Sequence, residues 1–401
     1  MSGHGSASTD DPLASNPRGL TRSGDARLEA IDLLRGLVIA IMVLDHVRDF
    51  FHSGAFTVDP LDPATSVPVL YLTRWVTHIC APTFVLLSGV SIYLQQVGGK
   101  TGATLSRFLV TRGLWLVFLE LTIIMFAWNF GPAFWLLQVI WVIGWSMVGM
   151  AAVVHFGPKL ALVFGILLVS LSPLARLEFA PASTVGEIGQ QLLFGMAPIA
   201  GAPVMIAYAI VPWFGIMAIG YGLGPLFVLG AAQRAKRLTW VALGLISLFF
   251  LLRTANGFGN PTPWQGMDDP VRTAMSYLNV NKYPPSPDFV SIMLGISLLL
   301  FVGLAHLRGP IARVLGDFGR TPLFTYIAHL YIAHALMLAA AIAVGNPGAA
   351  IAPLMNPPVG WGWGLAVVYG VWLLVLAILV PLARWMANLK RNRRDWWLSY
   401  I

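Results

Sequence analysis

The sequence predicts an all-α polytopic membrane protein of about ten transmembrane helices with both termini cytoplasmic, and three observations carry that prediction. Of 401 residues, 57% are hydrophobic and 10% charged, against about 45–50% and 25% in an ordinary soluble domain. Mean hydropathy is +0.75, and about ten apolar stretches of helix-spanning length follow one another. With the N-terminus inside, nineteen of the 25 Lys and Arg residues fall on the cytoplasmic side, leaving Arg48, Arg74, Arg176, Arg253, Arg272 and Lys282 outside. That is the asymmetry of the positive-inside rule. It explains the net charge of +8 without any nucleic acid, and it places the chain as a multi-pass protein of the cell (inner or plasma) membrane.

Residues 1–26 are rich in Ser, Gly, Asp and Pro and lack an apolar stretch, so a disordered cytoplasmic tail is expected there, with no signal peptide. The apolar stretches run over 30–51, 74–96, 105–128, 133–155, 158–173, 202–230, 238–255, 288–306, 321–344 and 361–386. The catalytic or transporting unit is therefore expected over 27–386, followed by a basic cytoplasmic tail at 387–401 whose KRNRR run anchors topology near anionic lipid. The longer outside segments, about 52–73, 174–201, 256–287 and 345–360, are too small to be domains. Thr321 and Pro322 read as a helix start, with Thr321 able to cap. Cys80 is the only cysteine, which excludes a disulfide scaffold and suits an apolar packing residue better than a nucleophile.

The first helix breaks its own pattern. Nine uncharged residues follow Arg35, and then Asp45, His46, Arg48 and Asp49 arrive together. Nine helical residues rise only about 13 Å against a hydrocarbon core of about 30 Å, so the cluster falls within the membrane's thickness. Ionisable groups at that depth face a cavity or pair with one another. Asp45 and Asp49 share a helix face, and His46 can meet Asp49 three residues on. A carboxylate beside an imidazole makes a general base; the plainer alternative is a neutralised salt-bridge cluster of Asp45, Arg48 and Asp49. The second helix brings Arg74 and His78 to the same side, four residues apart, with Pro82 one turn deeper to free a carbonyl and permit a bend.

Other polar residues interrupt apolar runs. Glu120 lies deep in the third helix, and His329 and His334 lie in the first half of the ninth; each either extends the polar interior or ties helices together. Lys282, in the run NKYPPS, stands at the expected outer rim, where a lysine binds a phosphate or sugar acid or snorkels to the interface. Asn256, Asn260, Trp264 and Gln265 give that loop amides and an aromatic face suited to a carbohydrate. No Walker loop, dinucleotide fingerprint, paired-cysteine zinc pattern or HExxH motif is present, so ATP hydrolysis, nicotinamide chemistry and zinc catalysis are not expected, and no metal is expected.

The runs RLEAIDLLRGLVIAIMVLDHVRDFF, LTRWVTHICAPTFVLLSGVSIYL, LNVNKYPPSPDF and GDFGRTPLFTYIAHLYIAHAL resemble bacterial membrane proteins carrying the heparan-alpha-glucosaminide N-acetyltransferase catalytic domain, within the transmembrane acyltransferases. The resemblance implies that acetyl-CoA is the cytoplasmic co-substrate and that its acetyl group reaches a sugar amine or hydroxyl on the far side. Its asparagine position falls on His46 and its catalytic histidine on or near His52. The catalytic candidates are therefore His46 first, then His78 and His52, with Asp49 paired to His46 and Arg48 or Arg74 stabilising negative charge. Direct transfer and an acetyl-histidine relay both stay open. The substrate-facing set is Asp45, Arg48, Arg74, Lys282, Glu120, His329 and His334, and Arg107, Arg112, Arg313 and Arg320 are candidates for the coenzyme A phosphates. The expected partners are the bilayer, an acyl-CoA and a glycan or sugar acceptor, and the chain could pair as a homodimer. The competing readings are a proton-coupled transporter of a small polar solute and a non-catalytic subunit of an envelope complex. An acyltransferase needs a cytoplasmic tunnel ending at His46; a transporter needs two gates.

Overall fold

The computed structural model describes residues 17–401 except 56, 132–133, 175–183, 347, 352–359, 394 and 401. Residues 1–16 of the expected N-terminal tail, and Arg176 among the outside cations, lie outside the described residues. Residues 17–26 form the start of helix α1 (Pro17–Phe51).

Eight helical segments among the described residues are long and apolar enough to cross a membrane. Two observations resolve them into ten crossings. Helix α1 crosses too, although Asp32, Arg35, Asp45, Arg48 and Asp49 dilute its apolar run. The apolar segment Val139–Leu171 is two crossings, α6 (Val139–Val153) and α7 (Gly157–Leu171), because the chain turns at Gly157 with φ 80°. The directions show it. Strand β1 (Trp135–Leu137), which leads into α6, runs parallel to β3 (Val204–Ile206), which leads into α9 (Ile210–Phe227), and at the other end of the pair Tyr221 donates to the Val154 carbonyl. Helix α7 runs opposite to α9, with Gly165 against Gly215 and Leu162 against Gly222.

The remaining crossings are α2 with α3 (Pro68–Thr77 and Cys80–Val97), α4 with α5 (Gly102–Leu119 and Met125–Asn129, joined by the π-helical turn Glu120–Ile124), α10 (Ala231–Ala255), α12 (Pro287–Leu304), α14 (Pro322–Ala343) and α16 (Leu365–Asn392). Short helices α8 (Thr184–Phe194), α11 (Pro270–Leu278), α13 (Pro310–Arg320) and α15 (Gly348–Ile351) lie in connections. Ten crossings put Pro17 and the end of α16 on one face, the terminal face; the long connections gather on the far face.

Three local differences from expectation have physical causes. The second crossing starts at Pro68, whose missing N–H costs nothing in the first turn. It breaks at His78 and Ile79, four residues before Pro82, which cannot donate to the His78 carbonyl. A small sheet in the order β1-β3-β2, with β2 at Ala197–Pro198, forms on the far face, in segments too short to show a period of two. Thr321 does not cap α14: its hydroxyl donates back to the Asp317 carbonyl at 2.9 Å.

Helix α13 is clamped to α1 by two glycines. A Cβ on Gly36 would stand 1.9 Å from the Leu315 carbonyl oxygen, and one on Gly319 would stand 1.8 Å from that of Asp32. This backbone contact sets where α14 starts, and so where its histidines meet α1. Gly36→Ala is expected to destabilise the protein by about 1–3 kcal/mol through overpacking, read as a lower melting temperature in detergent; an unchanged melting temperature contradicts the clamp.

Candidate functional site

Two cavities enter the bundle from opposite faces. The far-face cavity, about 590 Å³, is lined among others by Asp45, His46, Arg48, Asp49, Arg74, His78, Trp128, Gln138 and Lys282. The terminal-face cavity, about 340 Å³, has Arg35, Arg112 and Lys390 on its wall and Met42, Phe84, Ile140, Leu323 and Tyr326 among its apolar lining. Met42 is one turn from His46 on α1. The His46 ring lies edge-on to Tyr326, on the wall of the inner cavity, at 6.1 Å between centroids, and edge-on to Trp128, on the wall of the outer one, at 5.0 Å. His46 thus stands between a ring on each wall.

His46 does not pair with Asp49. Its Nδ1 lies 2.7 Å from Nε2 of His329, and the rings stack at 5.0 Å. The proton positions follow from the partners. His329 Nδ1 faces the Thr325 carbonyl oxygen at 3.1 Å, which only accepts, so in the neutral ring Nδ1 carries the hydrogen and Nε2 accepts from His46 Nδ1–H. His46 Nε2 is left with its lone pair and no protein partner among the described residues. Orientation of one imidazole by another group's acceptor is what a histidine base requires.

Asp49 instead accepts from Arg48 at 2.6 Å, and Asp45 accepts from Arg48 at 3.3 Å and from Arg74. The salt-bridge alternative therefore holds for Asp45, Arg48 and Asp49, with Arg74 joining from α2. Two guanidinium groups and two carboxylates neutralise one another beside His46. His78 is buried on the cavity wall, its ring edge-on to Phe289 at 5.6 Å and its Nδ1 unpaired. His52 is elsewhere: its Nδ1 accepts the Gly54 N–H at 3.0 Å, and its backbone bridges to Trp363. Burial, and then the Arg48 charge, push the His52 imidazole below its ordinary range.

Glu120 does not line the far-face cavity. Its carboxylate accepts the backbone N–H groups of Gln138 at 3.2 Å and Trp141 at 3.3 Å, so it caps the start of α6, where orphan donors and the helix dipole favour a negative charge. Glu120→Gln should cost about 0.5–2 kcal/mol, the usual worth of a cap, seen in thermal unfolding, with the turnover of the folded fraction unchanged; loss of turnover in a folded variant contradicts a capping role. His334 is also outside the cavity, stacked on Phe130 at 3.9 Å with Nδ1 2.7 Å from the Ala127 carbonyl. Cys80 is buried and donates to the Val38 carbonyl.

The cation candidates divide. Arg112 lines the terminal-face cavity, Arg107 is exposed outside it, and Arg313 and Arg320 line a separate groove beside α13. Arg35 and Lys390 join Arg112 there, and the sequence distinguishes neither from the many other terminal-face cations.

The 256–287 connection is a folded roof rather than an open sugar-binding loop. Arg253 donates to the carbonyls of Thr262, Ser276, Tyr277 and Asn279. Asn256 and Trp264 bond each other, Tyr71 donates to the Met275 carbonyl, and Trp75 to that of Leu278. Of Asn256, Asn260, Trp264 and Gln265, Asn260 alone faces the cavity. The roof carries Lys282 into the cavity wall, 5% exposed, not onto an open rim. Among the described residues no group of three or more His, Cys, Asp or Glu is placed to hold a metal ion.

Fold and site define a polytopic membrane protein with an imidazole pair at the meeting of two opposed cavities. Residues 27–253, more than half of the chain, match the catalytic domain of heparan-alpha-glucosaminide N-acetyltransferase, and the chain belongs to that family. No curated protein matches it. The matched region holds His46, Asp49, Arg74 and His78; Lys282 and His329 lie beyond it.

Proposed function

We propose that the chain is a transmembrane acetyltransferase that takes acetyl-CoA from the terminal, cytoplasmic face and delivers the acetyl group to an amine or hydroxyl of a sugar in the far-face cavity. The observation that carries this reading is the pair of cavities from opposite faces, with His46 in contact with a ring on the wall of each. The terminal-face cavity suits the donor: Arg35, Arg112 and Lys390 supply cations for phosphates, and the apolar wall beyond them suits a pantetheine arm.

His46 Nε2 takes a proton from the acceptor nitrogen or oxygen as that atom attacks the thioester carbonyl. The new C–N or C–O bond forms, the C–S bond breaks, and the proton passes from His46 to the departing thiolate. His329 acts as a positioning residue that holds His46 in the tautomer with Nε2 free. In the relay variant Nε2 attacks first and carries the acetyl group itself.

Incubation of purified protein in detergent with radiolabelled acetyl-CoA and glucosamine-containing acceptors tests this. Label in the sugar is the expected result. Failure of the protein to bind coenzyme A, together with no transfer across a broad acceptor panel, overturns it.

A further inference from the structure

The described wall of the far-face cavity carries its charged and imidazole side chains close together: Asp45, His46, Arg48 and Asp49 from α1, Arg74 and His78 from the second crossing, and Lys282 from the roof.

Lys282 adds a further charge to that wall. Its ammonium lies 5.0 Å from the Tyr283 ring and 5.8 Å from the Tyr208 ring and has no carboxylate within ion-pair distance among the described residues, and the residue as a whole is 5% exposed. The two aspartates at depth, Asp45 and Asp49, are engaged by Arg48 and Arg74. The third, Asp59, is exposed at the mouth, where it accepts the Leu61 N–H. The depth of the cavity therefore carries one positive charge in excess. An isolated buried ammonium is expensive, and two aromatic faces offset part of that cost; an anion offsets the rest.

Lys282 is held there by the roof. Asn260 Oδ1 accepts the Asn281 N–H and the Ser286 hydroxyl, Asn281 Nδ2 donates to the Pro284 carbonyl, and the Ser286 side chain accepts the Phe289 N–H at the start of α12. The residues on either side of the lysine are tied down, so the ammonium is aimed rather than free to snorkel.

We infer that the acceptor is an anionic sugar, whose phosphate or carboxylate is bound by Lys282 while its reacting amine or hydroxyl faces His46. This rests on the acetyltransferase reading for the reaction but not for the binding. Dissociation constants measured by calorimetry on the full chain in detergent test it, with glucosamine, glucosamine 6-phosphate and glucuronate as probes for wild type, Lys282→Met and Lys282→Arg.

Wild type should bind at least one anionic probe about tenfold or more tighter than glucosamine, which brings no anionic group, the range of a charge-assisted hydrogen bond. Which probe wins tells phosphate from carboxylate. Lys282→Met keeps the stem and removes the charge, and should bind all three alike; Lys282→Arg should keep a preference. Acetyl-CoA affinity in each variant reports folding. Equal wild-type affinity for glucosamine and the anionic probes, or a preference that survives Lys282→Met, overturns the inference. If Lys282→Met does not fold, the wild-type ranking and the Lys282→Arg ranking decide. Acetyl transfer to glucosamine with no anionic preference leaves the acetyltransferase standing and removes the anion site; an anionic preference with no coenzyme A binding does the reverse.

Discussion

His46→Ala is expected to lower acetyl transfer by about 10²–10⁴-fold, the range a positioned general base contributes, while acetyl-CoA still binds. The argument rests on hydrogen-bond direction. His329 Nδ1 must donate to Thr325, His46 Nδ1 must then donate to His329, and the only imidazole lone pair directed at the cavity by that chain is His46 Nε2. His329→Ala should therefore also slow transfer, but less, because His46 keeps its place and loses only its tautomer constraint. His329→Gln, which still offers His46 an acceptor, should recover part of the rate. A His46→Ala enzyme with wild-type turnover contradicts the assignment; equal losses for His329→Ala and His329→Gln contradict the positioning role.

Asp45→Asn is expected to be the most destabilising conservative change in the site, by about 3–5 kcal/mol, the cost of leaving buried charge uncompensated. Asp45 is 8% exposed and is the only residue bonded to both Arg48 and Arg74 among the described ion pairs. Its removal leaves two guanidinium groups with one carboxylate, Asp49, which reaches Arg48 but not Arg74. Arg74→Met in the Asp45→Asn background should restore part of the loss, because it removes the charge that Asp45 no longer neutralises. Thermal unfolding of the two single variants and the double variant measures the coupling. Additive losses contradict the pairing.

The sequence showed the crossings and the polar cluster of α1 because both are local patterns. Apolar runs and the sorting of Lys and Arg define the ten crossings, and the early end of the apolar run after Arg35 marks the α1 cluster. The turn at Gly157 and the break at His78 follow from single residues, a glycine and Pro82. What the sequence hid is pairing between distant segments. Asp49 is the nearer partner for His46 by helix spacing, yet the α1–α13 glycine contact brings His329 from 283 residues away. Glu120 read as a polar interruption of a helix, and became a cap only once α6 was set against the π-helical turn. Lys282 read as a rim lysine because nothing in NKYPPS reveals that Arg253 and Asn260 fold its loop inward. Arg35 and Lys390 were hidden by their own excess: among many terminal-face cations, only packing distinguishes those on a cavity wall.

In the proposed reaction the acetyl group passes at His46 between spaces open to opposite faces. Proteoliposomes test it most directly, with the protein in one orientation, radiolabelled acetyl-CoA on the terminal face and a membrane-impermeant glucosamine acceptor on the far face. Acetylated acceptor on the far side in wild type, absent with His46→Ala, is the expected result. Movement of the unmodified acceptor across the membrane without acetylation, or transfer only when donor and acceptor share one side, would contradict it.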